Sequence, residues 1–145
     1  MSDDWNAITL AEQEGTLTGQ LFVRPDPIRM YWAPDIHCPF HNADAVAYCL
    51  DAARGADIIG QIGDGLDAYG ISSFDRNPKR QSCLQNEADV YQEIWLKPVR
   101  QMNPKARIIQ LLGNHENRLN KYIWKRAPAL AGMRDLTWER ILRLP

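Results

Sequence analysis

The chain has little cysteine, and its cysteines are not arranged for cross-linking. Its 145 residues include three, Cys38, Cys49 and Cys83, an odd number with no C-x-x-C pair. This spacing indicates neither a disulfide framework nor a zinc knuckle. Because disulfides are rare in reducing compartments, the composition favours a reduced, intracellular setting.

The chain also lacks a strong charge of either sign and any long hydrophobic run. Its formal net charge is −1, which gives no overall attraction to nucleic acid or to an acidic membrane. No apolar run approaches the roughly 20 residues of a membrane-spanning helix, and the acidic start lacks the order of a signal peptide. We therefore expect one soluble, cytoplasmic domain over residues 1–145, with no membrane partner.

What the sequence does contain is three short apolar runs that each end in polar side chains. The runs are residues 28–33, 57–62 and 106–112, and the groups that follow are Asp35 and His37, Asp64, and Asn114 and His115. If the runs are parallel strands, their carboxyl ends share one edge of a sheet, which is where open α/β folds bind ligands. For the stretch from Gly113 to Glu116 alone, a glycine turn with an asparagine helix cap explains the pattern equally well.

The candidate metal ligands among these residues are Asp35, His37, Asp64 and Asn114. Their donors are oxygen and nitrogen without thiolate, which suits divalent ions such as Mn, Fe or Zn. Asp35 and His37 flank one residue, so on an extended strand tip both side chains can share a cation. The Asp64 carboxylate has two oxygens and can bridge two ions.

Three motifs together resemble the calcineurin-like metallophosphoesterases in residues, order and strand context. They are Asp35-x-His37, Gly63-Asp64-x-x-Asp67 and Gly113-Asn114-His115-Glu116. The amino-acid sequence around the second motif, from Gly63 to Arg76, is most similar to that of bacteriophage-type members. The resemblance implies an α/β fold, a parallel sheet with flanking helices that forms one leaf of the family's four-layer α/β/β/α sandwich.

The resemblance also implies roles for the motif residues. Asp35 and His37 would bind the first of two divalent ions (Mn, Fe, Zn or Ni), Asp64 would bridge both, and Asn114 would bind the second. Metal-bound hydroxide would then hydrolyse a phosphomonoester or phosphodiester. His115 would face the phosphate and protonate the leaving oxygen, and Asp67 would orient His115.

Two departures from the family pattern stand out. Ala68 occupies the position where the protein Ser/Thr phosphatases of this superfamily have a phosphate-binding arginine, which disfavours a phosphoprotein substrate; Arg76 or Arg118 is a candidate substitute. No histidine follows His115, whereas the family draws further metal ligands from its C-terminal half. We therefore expect a missing C-terminal part, with completion by another chain (a homo-oligomer, for example) or a degenerate relative as alternatives.

The leading functional hypothesis is a metal-dependent phosphoester hydrolase, although the activity of these 145 residues alone is doubtful. A nucleic-acid substrate is one version of it. The alternative is a catalytically inactive remnant that acts as a binding or assembly module.

The rest of the chain is expected to supply helices. Helices are predicted over 42–54, 85–102, 118–126 and 137–144, with a kink or early end at Pro98. A lead-in over 1–27 would hold a short helix near 11–15 and an edge strand over 17–23. Because the first two helices can cover only one face of the apolar strands, the other face should be exposed and should promote association.

Three further polar features have a structural interpretation. Glu116 is interpreted as a carboxylate at a helix start, and His41 as a loop or capping residue. The basic residues Arg76, Lys79 and Arg80 are typical of a solvated loop, with substrate contact as the alternative.

Overall fold

A parallel sheet of three strands forms the centre of the fold. In the computed structural model, which describes residues 27–80 and 82–144, the strands are β1 (Met30–Ala33), β2 (Ile58–Gln61) and β3 (Arg107–Gln110), in the order β1-β2-β3. Ala33 pairs with Gln61, and Gln61 pairs with Gln110. The predicted parallel α/β arrangement is therefore confirmed, but each strand is four residues long and shorter than predicted.

Helices connect the parallel strands, which a two-residue hairpin cannot join. Helix α1 (Ala43–Ala52) begins at Asn42, whose side chain accepts a hydrogen bond from the Ala45 N–H at 3.0 Å. Between β2 and β3 lie α2 (Leu84–Tyr91), a π-helical segment (Gln92–Leu96) and α3 (Lys97–Met102). The disturbance predicted at Pro98 takes the form of this π-helical segment, and the helix continues beyond the proline.

After β3 the chain forms α4 (Asn117–Arg126), a 3₁₀ turn (Pro128–Leu130) and α5 (Trp138–Ile141). Thr137 precedes α5 and accepts from the Arg140 N–H, as an N-cap residue does. Helix α5 is one turn long, so the prediction of a helix over 137–144 was too long. The elements predicted near 11–15 and 17–23 lie outside the described residues. Among the helices of the described ranges, none is long and apolar enough to cross a bilayer.

The two faces of the sheet have different surroundings. On one face Ala33 and Ile59 are buried in the core with residues from every helix, including Val46, Tyr91, Trp95, Leu119 and Trp138. On the other face Met30 and Trp32 are 55% and 39% exposed, and Ile62 and Leu111 are exposed as well. Within the described ranges, the predicted uncovered apolar face is thus present; whether it promotes association stays a prediction.

Candidate metal centre and basic groove

The loops that follow β1 and β2 run side by side beyond the sheet. The His37 N–H donates to the Asp64 carbonyl and the Cys38 N–H to the Gly65 carbonyl, both at 2.9 Å. Cys38 and Leu66 form an isolated parallel bridge, which extends the strand pairing into the loops. This pairing brings Asp35 and His37 next to Asp64, as expected for the carboxyl ends of adjacent parallel strands.

The backbone is strained at three of the predicted metal ligands. Asp35, His37 and Asp64 have φ angles of 37°, 54° and 55°, in the left-handed region that residues with a Cβ rarely adopt. Such a conformation costs about 1–3 kcal/mol per residue and persists where the surrounding structure enforces it. Concentration of this strain at one sheet edge is typical of a functional site.

Two glycines allow the β2 and β3 loops to touch. A Cβ on Gly63 would lie 2.7 Å from the Gly113 Cα, and one on Gly113 would overlap the Asp64 carboxylate. Gly63 also has a φ of 105°, which disfavours any other residue. The close approach holds the Asp64 side chain against the turn that contains His115, whose N–H donates to Asp64 Oδ1 at 2.9 Å.

The Glu116 carboxylate joins the loops that follow β2 and β3. It is fully buried and accepts from the N–H groups of Gly113, Asp64 and Leu66 at 2.8–2.9 Å. Its own carbonyl accepts from the Trp138 indole N–H at 2.8 Å, which attaches α5 to the site. The interpretation of Glu116 as structural fits this geometry, but its side chain makes no capping bond to α4; it binds the loops instead.

Asp35, His37 and Asp64 form what we call the open cluster. One ligand atom from each of the three side chains lies within 4.8 Å of the others. Asp35 is 69% exposed in its side chain, and Asp64 Oδ2 has no hydrogen-bond partner among the described residues. Atoms at this separation can bind one ion, since ligand atoms on opposite sides of a divalent cation lie about 4–5 Å apart.

Asp67, His115 and Arg118 form a closed cluster on the other side of His37. Arg118 donates to the Asp67 carbonyl at 2.8 Å and lies 3.4 Å from its carboxylate. The second guanidinium nitrogen lies 3.1 Å from His115 Nε2. Because a guanidinium cannot accept, Nε2 must be the acceptor, and Nδ1 then carries the proton that it donates to the Asp67 carbonyl at 2.9 Å.

This geometry modifies the predicted relation between Asp67 and His115. The hydrogen bond runs to the main-chain carbonyl of Asp67, whereas its carboxylate lies 3.9 Å from His115 Nδ1. His37, Asp67 and His115 also lie within metal-binding reach of one another. However, both nitrogens of His115 have partners and Arg118 places a positive charge there, so the closed cluster is a poor cation site.

His37 lies between the two clusters. Its ring is 4.5 Å from that of His115 in an edge-on arrangement. Nε2 faces Asp35 at 3.9 Å, and Nδ1 is buried, without a hydrogen bond in the described ranges, 3.7 Å from the Asp67 carboxylate. A metal-binding histidine usually donates its other N–H to a carboxylate, so this orientation suits an ion at Nε2.

The remaining candidates lie around these clusters. Asn114 is exposed in the turn between Gly113 and His115, and its role as a ligand stays a prediction. His41 lies in the loop before the Asn42 cap and belongs to neither cluster. Burial raises the pKa of the Cys38 thiol to about 12, with a smaller contribution from Glu87, so no thiolate is available beside His37 at neutral pH.

A groove of about 1230 Å³ opens next to the closed cluster, between the loop over 69–80 and helix α4. Of the residues that the structure describes, six Lys or Arg and one acid, Asp75, line it; we call it the basic groove. The sequence indicated the loop residues Arg76 and Arg80 and, as a candidate phosphate-binding residue, Arg118. It did not indicate Lys121, Lys125 or Arg126. Their spacing along one stretch of α4 was the available signal.

Comparison of the chain with protein-family models, with curated proteins and with solved structures gives no match.

Proposed function

We propose that this chain is a metal-dependent phosphoester hydrolase whose substrates are phosphomonoesters or phosphodiesters. The observation that carries the proposal is the open cluster. Asp35, His37 and Asp64 bring ligand atoms within 4.8 Å at a strained sheet edge. Among the described residues, no Lys or Arg forms an ion pair with Asp35 or Asp64. Two carboxylates beside an imidazole repel one another unless a positive charge joins them.

The donor set fits a Mn, Fe or Zn ion. Asp35, the Nε2 atom of His37 and Asp64 would hold it, and the Asp67 carboxylate, 3.7 Å from His37 Nδ1, would accept a hydrogen bond from the Nδ1–H. When bound, a divalent ion neutralises phosphate oxygens and lowers the pKa of coordinated water towards neutrality. The resemblance implies a second ion between Asp64 and Asn114, which remains part of the proposal.

Arg118 and His115 supply the groups that act on the phosphate. The Arg118 guanidinium has five N–H donors in a planar fork, a geometry that matches phosphate oxygens. When Arg118 turns to the phosphate, it releases His115 Nε2, which it contacts at 3.1 Å. His115 Nε2 is then free to hold the proton that the leaving oxygen needs, while its Nδ1–H stays on the Asp67 carbonyl.

A binding or assembly module without turnover is the second candidate. The observation in its favour is the uncovered apolar face, on which Met30, Trp32, Ile62 and Leu111 are exposed among the described residues. Exposed apolar surfaces of this kind mark contacts with other protein surfaces. This face lies across the sheet from the helices and is independent of the open cluster.

Manganese titration and phosphodiester turnover separate the two candidates. We expect the chain to bind Mn²⁺ in calorimetry and to hydrolyse bis-p-nitrophenyl phosphate in its presence. Asp64→Asn should weaken Mn²⁺ binding by at least about 100-fold because it removes a charged ligand. His115→Asn should leave binding within about threefold and lower turnover by roughly 10²–10⁴, the span of general acid catalysis.

Three outcomes contradict this assignment in different ways. A folded chain that neither binds Mn²⁺ nor turns over the diester would favour the module. Equal loss of Mn²⁺ binding in both variants would make His115 a ligand. Unchanged turnover in His115→Asn would remove the imidazole from the chemistry.

A further inference from the structure

The basic groove has a charge that the whole chain does not have. The net charge of the chain is −1, yet among the described residues the groove lining contains Arg76, Arg80, Arg118, Lys121, Lys125 and Arg126 against the single acid Asp75. Local concentration of one sign in a concave surface raises the potential there and attracts the opposite charge. The groove is therefore built for an anion with several charges.

Helix α4 arranges these cations in a row. Arg118, Lys121 and Lys125 follow one another at spacings of three and four residues, which places them on one face of the helix. The row extends over about 10 Å, since each residue rises about 1.5 Å. Lys121 and Lys125 form no ion pair with any described residue. They are free to bind a chain of phosphates.

Aromatic rings lie among the cations. Phe74 in the loop is 74% exposed and Tyr122 in α4 is 44% exposed, and both line the groove. The loop that carries Phe74 is braced, because the Asn77 N–H donates to the Tyr69 hydroxyl at 2.6 Å and Arg76 donates to the Gly70 carbonyl. Arg80 is stacked over Phe40 at 4.2 Å. Exposed rings on a fixed loop are platforms for flat ligands.

We propose that the basic groove binds a single-stranded nucleic acid, with phosphates on the α4 cations and bases stacked on Phe74 and Tyr122. A strand of about three nucleotides spans the row of cations at about 3.4 Å per step. Duplexes keep their bases stacked on each other, so the rings favour a single strand. An acidic peptide would use the cations but would leave the rings without partners.

The groove leads to the candidate metal centre. Arg118 lines the inner end of the groove and also contacts Asp67 and His115. A strand in the groove thus has one phosphate next to the residues proposed to act on phosphate. This delivery step, which makes a phosphodiester of single-stranded nucleic acid the substrate, rests on the proposed function; the binding itself does not.

Binding can be measured without turnover. Fluorescence anisotropy in EDTA, with labelled dT12 and U12 single strands and a 12-base-pair duplex, tests the groove in the metal-free chain. We expect both single strands to bind more tightly than the duplex. If the four cations of α4, Arg118, Lys121, Lys125 and Arg126, each neutralise one phosphate, log K should fall with log salt at a slope of about −3, from about −0.7 per contact.

Matched variants identify the groups. Lys125→Ala should lower the single-strand affinity about fivefold at 0.1 M salt and reduce the slope by about 0.7. Lys105→Ala, an exposed lysine before β3 at the opposite edge of the sheet, should change neither. Phe74→Ala should weaken dT12 binding roughly five- to tenfold, and binding of inorganic polyphosphate should stay within about twofold, because polyphosphate has no bases to stack.

Each outcome decides one point. Equal binding of duplex and single strand, equal loss in Lys125→Ala and Lys105→Ala, or tighter binding of a polyglutamate peptide than of dT12 would overturn the proposal. Preference for either dT12 or U12 would identify the type of strand. Oligonucleotide binding without bis-p-nitrophenyl phosphate turnover would support nucleic-acid binding in the groove and refute the hydrolase. Turnover without oligonucleotide binding would support the hydrolase and refute nucleic-acid binding in the groove.

Discussion

The open and closed clusters share His37 and a sheet edge, but they satisfy their charges in opposite ways. In the open cluster two carboxylates and an imidazole converge with no Lys or Arg paired to them in the part of the chain that the structure describes, and Asp35 is 69% exposed. In the closed cluster Arg118 neutralises Asp67, and the side chains of Arg118, His115 and Asp67 are only 15–16% exposed. Aspartate and histidine occur in both clusters. The difference teaches that one added arginine, Arg118, gives the closed cluster a charge that suits an anion, whereas the charge of the open cluster suits a cation.

Both clusters depend on one buried carboxylate, so the first prediction removes it. Glu116→Ala should lower the free energy of unfolding by roughly 3–5 kcal/mol, because it leaves the buried N–H of Leu66 and the part-buried N–H groups of Gly113 and Asp64 without an acceptor. Urea denaturation measures this loss. Glu139→Ala, at an exposed position of α5, is the control and should change stability by less than about 0.5 kcal/mol.

A loss below about 1 kcal/mol in Glu116→Ala would show that water replaces the carboxylate. The stability of the two clusters would then not depend on a shared buried carboxylate. In that case the strained backbone at Asp64 would be maintained by the glycine contact between Gly63 and Gly113 instead.

The second prediction tests whether the closed cluster supports the open one through His37. Asp67→Asn should lower Mn²⁺ affinity about tenfold, because the carboxylate that faces His37 Nδ1 at 3.7 Å loses its charge. Calorimetric titration measures the change, and Asp75→Asn, an acid in the exposed loop, should leave the affinity unaltered. A loss of Mn²⁺ affinity as large as that in Asp64→Asn would show that Asp67 is itself a ligand and that the two clusters form one metal site.

The sequence predicted the open cluster because parallel strands have a simple geometry. Apolar runs that end in Asp35, His37 and Asp64 can be aligned without knowledge of any other contact, and the structure brings these three residues together. The strand ends were less predictable. Residues such as Leu112 are apolar but lie beyond the paired register, where they are exposed, and hydrophobicity alone does not report where pairing stops.

Strand geometry did not predict the closed cluster or the groove. The family resemblance had paired Asp67 with His115 and made Arg118 a candidate phosphate-binding residue, but it gave no contact between Arg118 and the other two. Arg118 contacts Asp67 across 51 positions of sequence, and Glu116 reaches back 52 positions to Asp64. Such contacts depend on how α4 is oriented against the β2 loop, which no periodicity encodes. The groove was not predicted for the same reason. Its cations lie on two segments, the loop over 69–80 and α4, and each segment by itself is typical of a solvated surface.

The last prediction removes the residue that makes the two clusters different. Arg118→Met keeps a long side chain but deletes the positive charge beside Asp67 and His115. Mn²⁺ affinity at the open cluster should rise by roughly fivefold, about 1 kcal/mol, as expected for relief of repulsion between charges near a protein surface. Arg107→Met, at the start of β3 and away from the strand ends that carry the clusters, should leave the affinity unchanged.

If Mn²⁺ binding weakens instead, Arg118 acts mainly by positioning Asp67 against His37. If a second ion binds, Arg118 is the group that keeps the closed cluster closed to cations, and replacement of one side chain converts an anion site into a second metal site.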